Sequence, residues 1–288
     1  MVSDLEIWKL LEKDIEKAKT PQERARIIEE HKDVFDNMSA RINAMIESGE
    51  YSMKYQPHFE NGKCTGAEAL FRMNVDGVPL NPFVVFAVLR HYGYEKDATL
   101  KILDDMCDDI NRLSKGKSDE FVVSYNVNPD FYDREYCNKI LEILDAHNVN
   151  HSNFAVELLE VSSLENVKAE DMLYMKEHGI KTYLDDFGTG FATKSALKLP
   201  FSVVKIDGSL VENCDEDEKK QRVLAEIVKI CASKGMKTLA EKVEEKSELD
   251  VLTNIGINKF QGYYYDAGLS ADDFLKRDYM HSDENMSF

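Results

Sequence analysis

Residues 154–158 read Phe-Ala-Val-Glu-Leu, residues 181–186 Lys-Thr-Tyr-Leu-Asp-Asp, and residues 203–207 Val-Val-Lys-Ile-Asp. Each is a short apolar run that closes on charged groups, and a helical pattern over Asp171–His178 separates the first two. Strand then helix, repeated, is the pattern of a parallel α/β protein. Further runs of the same kind lie at Ser52–Gln56, Gly66–Phe71, Phe121–Tyr125, Lys237–Ala240 and Lys259–Gln261. Helical patterns at Phe83–Leu89, Leu100–Ile110, Ile140–His147, Glu218–Lys234 and Ser247–Ile255 alternate with most of them. About eight strands in this span predict a (β/α)8 TIM-type barrel. The alternative, a doubly wound open sheet, loses support because no GxGxxG or GxxxxGK[ST] loop follows the first strand.

The first 50 residues read differently. Leu5, Trp8, Leu11, Ile15 and Ala18 form an amphipathic stripe, and Thr20-Pro21-Gln22-Glu23 is a helix start with Thr as N-cap and Glu three residues on. Ile28, Phe35 and Ile42 recur at seven-residue steps, as do His31, Met38 and Met45. Two heptads favour a packed helix over a coiled coil. The expected organisation is a helical segment at 1–36, a barrel at 37–280 and a tail at 281–288.

Composition bounds the function. The 288 residues carry 36 Lys and Arg against 54 Asp and Glu, a net charge of −18. That field repels nucleic-acid polymers and anionic lipid, and an anionic ligand would need cations to mediate its binding. No apolar run is long enough for a membrane span, and the N-terminus lacks the build of a secretory signal. Five scattered cysteines, none in a CxxC pair, argue against a disulfide framework and a thiolate zinc site. A cytoplasmic protein is expected.

The strand ends carry Glu68, Asn126, Glu157, Asp185 with Asp186, Lys205 with Asp207, Glu241, and Gln261. In a barrel these ends converge on one face, where active sites sit. So many carboxylates in one mouth repel one another unless some take up protons or bind hard divalent cations. None of the seven histidines lies in these motifs, which disfavours zinc held by imidazole. The adjacent pair Asp185-Asp186 suits two ions of the kind that hydrolyse phosphodiesters. Each residue taken singly also fits a buried salt bridge or a cap, and Lys205 and Asp207, two apart, also fit a structural pair.

Eight motifs in order carry a family resemblance: Tyr55-Gln56-Pro57, Glu68-Ala69-Leu70-Phe71-Arg72, Asn126-Val127-Asn128, Glu157-Leu158-Leu159-Glu160, Leu184–Phe191, Lys205-Ile206-Asp207, Ala240-Glu241-Lys242-Val243-Glu244 and Gln261-Gly262-Tyr263. Together they resemble the EAL-domain cyclic-di-GMP phosphodiesterases over roughly Asn37 to Leu275. The resemblance implies an EAL-like barrel that opens cyclic di-GMP to linear pGpG with two Mg²⁺ or Mn²⁺ ions, in a homodimer. It assigns Glu68, Asn126, Glu157 and Asp185 to the first metal, and Asp185, Asp186 and Glu241 to the second. Lys205 would position and polarise the attacking water, supported by Asp207, with Glu241 counted beside them in catalysis. Gln56, Leu70, Arg72, Glu244 and Gln261 would face the substrate, and Glu160 would anchor the loop after Asp186.

Departures from the family pattern accompany the match. Lys242 stands where glycine is usual, beside an implied ligand, and would strain the turn if φ there is positive. Met73-Asn74-Val75 and Ala267-Gly268 replace usual groove residues. The expected activity is phosphodiester hydrolysis; the alternative is a degenerate domain that serves as a cyclic-di-GMP receptor or protein-interaction module.

Overall fold

The computed structural model describes residues 3–117, 121–159, 162–188, 196–277 and 279. Two compact units emerge from the chain, Met1–Met53 with Phe71–Met106, and Lys54–Leu70 with Cys107–Phe288.

The first unit opens with three helices, α1 (Asp4–Lys17), α2 (Pro21–Glu30) and α3 (Lys32–Glu47). Ser3 with Glu6, and Thr20 with Glu23, form capping boxes that start α1 and α2 by satisfying otherwise orphaned amides. His31 breaks the chain between α2 and α3, so the heptad rows do not lie on one helix. Ile28, Phe35 and Ile42 are buried in the packing of this unit, with the Trp8 and Phe35 rings 5.3 Å apart. Helix α3 runs on through residue 36, where the helical segment was expected to end.

The second unit carries the barrel. Strands β1 (Ser52–Glu60) and β2 (Lys63–Val75) are joined by Asn61-Gly62, both at positive φ, the requirement of a two-residue hairpin turn. From Phe71 to Met106 the chain belongs to the first unit, with the end of β2, β3 (Val78–Leu80), α4 (Pro82–His91) and the first part of α5 (Glu95–Ser114). In the second unit it then alternates: β4 (Val122–Val127), α6 (Arg134–Ala146), β5 (Phe154–Leu159), α7 (Ala169–Glu177), β6 (Lys181–Phe187), β7 (Val203–Ile206), α8 (Gly208–Val211), α9 (Glu218–Ser233), β8 (Lys237–Ala240), α10 (Lys246–Ile255), β9 (Lys259–Phe260) and α11 (Ala271–Lys276). The sheet order β1-β9-β8-β7-β6-β5-β4-β2 closes because β2 also pairs with β1. All eight strands expected from the sequence are present, and the closed barrel excludes the open sheet. One strand differs in direction: β1 is antiparallel to β9, while β2 and β4 to β9 form a parallel series. The tight hairpin is the cause, since a two-residue turn must reverse the chain. The N-terminal half of β1 therefore lies at the level of the other strands' C-terminal ends.

Side chains alternate across a strand, so the register fixes what fills the barrel. Val122, Ala155, Tyr183, Val203 and Leu239 form one buried cluster. Four of these stand two residues before Glu157, Asp185, Lys205 and Glu241, and thus share their face. An apolar plug lies directly beneath a charged layer, and it keeps water from reaching that layer from below.

Candidate active site

The charged layer is organised around Lys205. Its side chain is 0% exposed, and Nζ lies 2.6 Å from Glu157 Oε2, 2.7 Å from Asp185 Oδ1, 3.0 Å from Glu241 Oε1 and 3.2 Å from Glu68 Oε2. Four strand ends thus deliver four carboxylates to one ammonium. Asn126 Nδ2 donates to Glu68 Oε1 at 3.0 Å, and Gln261 Nε2 to Glu68 Oε2 at 2.7 Å and Gln56 Oε1 at 3.0 Å. Gln56 joins this network because β1 is reversed.

Adjacent residues of a strand normally face opposite sides, yet Asp185 and Asp186 both belong here. The pairing of β6 with β7 slips between Leu184 and Phe187, three residues on β6 matching two on β7, and Asp186 has φ 55°. This bulge re-aims one side chain, a device common beside active sites. Oxygens of Glu68, Glu157 and Asp185 lie within 4.8 Å of one another, as do those of Asp185, Asp186 and Glu241. The two groups share Asp185.

One ammonium is a poor counter-charge for this set. Burial, reinforced by Glu68 and Asp185, drives the Glu157 carboxyl up to about 8 despite Lys205. Burial and the Asp185 charge push Asp186 up to about 6, and burial holds Glu241 well above the usual carboxylate range. Glu68 escapes: burial raises it, but Lys205 and the Gln261 hydrogen bond bring it below its ordinary value. Burial would lower Lys205, but attraction to Asp185, Glu157, Glu241 and Glu68 holds it well above the usual lysine range. It is an ammonium, not a base. Among the described residues, buried Asn126 Oδ1 and Glu157 Oε1 accept no hydrogen bond. Hard oxygen donors, two of them unused and buried, with excess negative charge, fit divalent cations such as Mg²⁺ or Mn²⁺.

Other expected residues sit elsewhere. Asp207 does not pair with Lys205; its Oδ1 accepts from Ser209 N at 2.9 Å, capping α8, and its Oδ2 is 3.6 Å from Lys242 Nζ. Asn128 caps a short helical turn through Asp130 N at 3.1 Å. Arg72 belongs to the first unit, where it donates to the Phe71 carbonyl at 2.7 Å. Leu70 is half-buried, its Cδ1 facing Gly268. Glu160 and residues 189–191 of the loop after Asp186 lie outside the described residues, as does the tail 281–288. A cavity of about 260 Å³ opens above the charged layer, lined by Gln56, Glu68, Glu241, Lys242, Glu244 and Gln261, with the exposed Tyr263 ring beside them.

Sequence reading missed His58. It is buried and under the influence of Lys205 and Glu68, and burial drives its imidazole down to about 3. Parity was the available signal: His58 lies two residues beyond Gln56 on the same strand and so shares its face.

The EAL domain profile matches residues 39–267. The chain is 27% identical over 249 residues to the signaling protein YkoW of Bacillus subtilis, covering 83% of this chain and 30% of that protein. It is 28% identical over 242 residues to a probable cyclic di-GMP phosphodiesterase, PdeB of Escherichia coli, covering 82% of this chain and 46% of that protein. The chain therefore spans less than half the length of either relative. The fold is similar to that of the Xanthomonas citri FimX EAL domain solved with c-diGMP, with a TM-score of 0.73 at 15% identity, over 83% of this chain and 96% of that one. The profile spans most of the chain, its strand-end carboxylates meet in one barrel mouth, and on that ground the protein belongs to the EAL domain family.

Proposed function

We propose that this chain is a metal-dependent phosphodiesterase that hydrolyses one phosphodiester of cyclic di-GMP to give linear pGpG. The observation that carries the reading is the enclosure of Lys205 by Glu68, Glu157, Asp185 and Glu241 within 3.2 Å. With Asp186, five carboxylates face one ammonium, and two divalent cations would neutralise the four remaining charges. Glu68, Asn126, Glu157 and Asp185 would hold one, and Asp185, Asp186 and Glu241 the other. Bound there, such ions supply an acidified water and charge compensation for the phosphate.

The chain's own groups do the rest. Lys205 stays protonated; its three N–H donors are shared among the four carboxylates, and one released from a carboxylate would be offered to the attacking water oxygen, fixing where that oxygen sits. Water adds to phosphorus, the bond from phosphorus to the ribose 3′ oxygen breaks, and that oxygen takes a proton as the ring opens. Gln56, Gln261 and Glu244 line the cavity that receives the dinucleotide. The apolar plug below keeps water out on that side, which strengthens the charge interactions above it. Relatives and fold neighbours whose names carry cyclic di-GMP support the choice of substrate.

The test is incubation with cyclic di-GMP and Mg²⁺ or Mn²⁺, with products separated by chromatography. Appearance of pGpG that stops on adding chelator supports the reading. One observation favours a second reading, a receptor without turnover: Lys242, a cation beside Glu241, engages Asp207. Binding of the dinucleotide without pGpG would establish it instead.

A further inference from the structure

Lys242 occupies a backbone position that glycine suits, with φ 54°, and its neighbours fix it there. Glu241 N donates to Ile206 O at 3.1 Å, and Val243 N to Gln261 O at 3.0 Å, so the turn cannot relax without breaking the sheet connection. A side chain held in this region is strained, and such strain persists where the surroundings over-determine it. Beneath the lysine lies Gly208: a Cβ there would fall 2.4 to 2.9 Å from Lys242 Cδ, Cβ and Cγ. The aliphatic stem rests on bare backbone and carries the ammonium outward, where the side chain is 70% exposed.

At that end the ammonium has a weak hold. Its distance to Asp207 Oδ2, 3.6 Å, is longer than a hydrogen bond, and although Asp207 is buried, the Lys242 end of the pair stands in solvent and is free to swing. Lys242 also lines the cavity above the charged layer, where the other charged liners are Glu68, Glu241 and Glu244. Among the described lining residues it is the one cation. Every charged group among the described lining residues other than Lys242 repels an incoming phosphodiester, and the net charge of −18 adds to that repulsion.

We propose that Lys242 is a substrate-binding residue of this chain: its ammonium leaves Asp207 and takes a phosphate oxygen of the incoming dinucleotide at the cavity rim. The inference rests on the phosphodiesterase reading above. It deepens that reading by giving the mouth a phosphate contact supplied by the protein itself. Lysine suits the task as a mobile point charge on a flexible stem.

The experiment compares wild type with Lys242→Met, which keeps the stem, and Lys242→Arg, which keeps the charge. Calorimetric binding of cyclic di-GMP is measured with Ca²⁺, and turnover with Mn²⁺. The expected result is binding weakened about tenfold in Lys242→Met, with the loss of kcat/KM carried by KM, and recovery to within about threefold in Lys242→Arg. Equal binding by wild type and Lys242→Met overturns this inference and leaves the phosphodiesterase reading standing. A fall confined to kcat overturns it as well, since that would place Lys242 in the chemistry or the metal site. Wild type that neither binds nor turns over the dinucleotide overturns both.

Discussion

Replacing Lys205 by Met removes the only cation in direct contact with Glu68, Glu157, Asp185 and Glu241 among the described residues. Methionine fills much of the same volume, so the loss is electrostatic. Because Nζ is fully enclosed, water does not replace it, and breaking a buried ion pair of this sort costs about 3–5 kcal/mol. The full sum of four ion pairs is not lost, because Glu157 and Glu241 already lean toward the protonated form and relieve repulsion by taking up protons. In chelator at pH 7.5 the unfolding free energy from urea denaturation should drop by about 3–5 kcal/mol. Added Mn²⁺ at about 100 times its dissociation constant should restore about 2.7 kcal/mol, since it binds the folded state alone. Turnover of cyclic di-GMP should fall by at least about 100-fold, the cost of losing one pre-set donor near the reacting phosphate. A variant as stable as wild type in chelator, to within about 0.5 kcal/mol, would refute the placement of Lys205 as the keystone of the carboxylates. Turnover within tenfold of wild type would refute its role in the chemistry.

Further expectations follow from single positions. Asn126→Leu removes a buried oxygen that accepts no hydrogen bond among the described residues, and calorimetric Mn²⁺ affinity should weaken about 10- to 100-fold; unchanged affinity would remove Asn126 from the ligand set. His58, held down to about 3 against an ordinary 6.5, keeps the folded chain from binding a proton that the unfolded chain accepts. Its depressed value contributes stability that is complete above pH 6.5 and is lost as pH falls toward 3. At pH 5 the loss is about 2 kcal/mol, to be read as the difference in pH slope between wild type and His58→Gln in urea titrations; parallel slopes would count against it. In Gly66→Ala a Cβ would meet Val122 O at 2.2 Å, so β2 must part from β4. Urea midpoints should show a loss of about 2–4 kcal/mol, and an unchanged midpoint would contradict the strand spacing.

Several elements were legible without the structure because they rest on local rules. Thr20 and Glu23 announce a helix start through spacing alone, and the structure has that capping box. The strand at 154–158 and the helix at 171–178 follow from apolar run length and periodicity. Strand direction did not follow. Asn61-Gly62 reverses β1 within two residues, while the reading of strand then helix presumed one direction throughout. The heptads at Ile28, Phe35 and Ile42 marked buried positions correctly, yet a break at His31 puts them on two helices.

The site shows the same division. Strand-end carboxylates were visible as residues, and family motifs implied their roles. Which of them meet depended on register and shear, which are properties of strands far apart in sequence. Lys205 and Asp207, two apart at one strand end, also fitted a structural pair, but the closure of the barrel gave Lys205 to residues 68, 157, 185 and 241 and left Asp207 to cap α8. A bulge at Asp185-Asp186 brought neighbours to one face against the usual alternation. Lys242 was conspicuous in sequence as a residue out of pattern; its φ, its seat on Gly208 and its outward reach were set by the backbone packed around it. What the sequence determined by itself was the alternation of strands and helices and the identity of the charged groups, because periodicity and capping are short-range. What the tertiary structure decided was the direction of β1, the partners of Lys205 and the burial that sets each proton affinity, because these arise only when distant strands close into a barrel around a dry core.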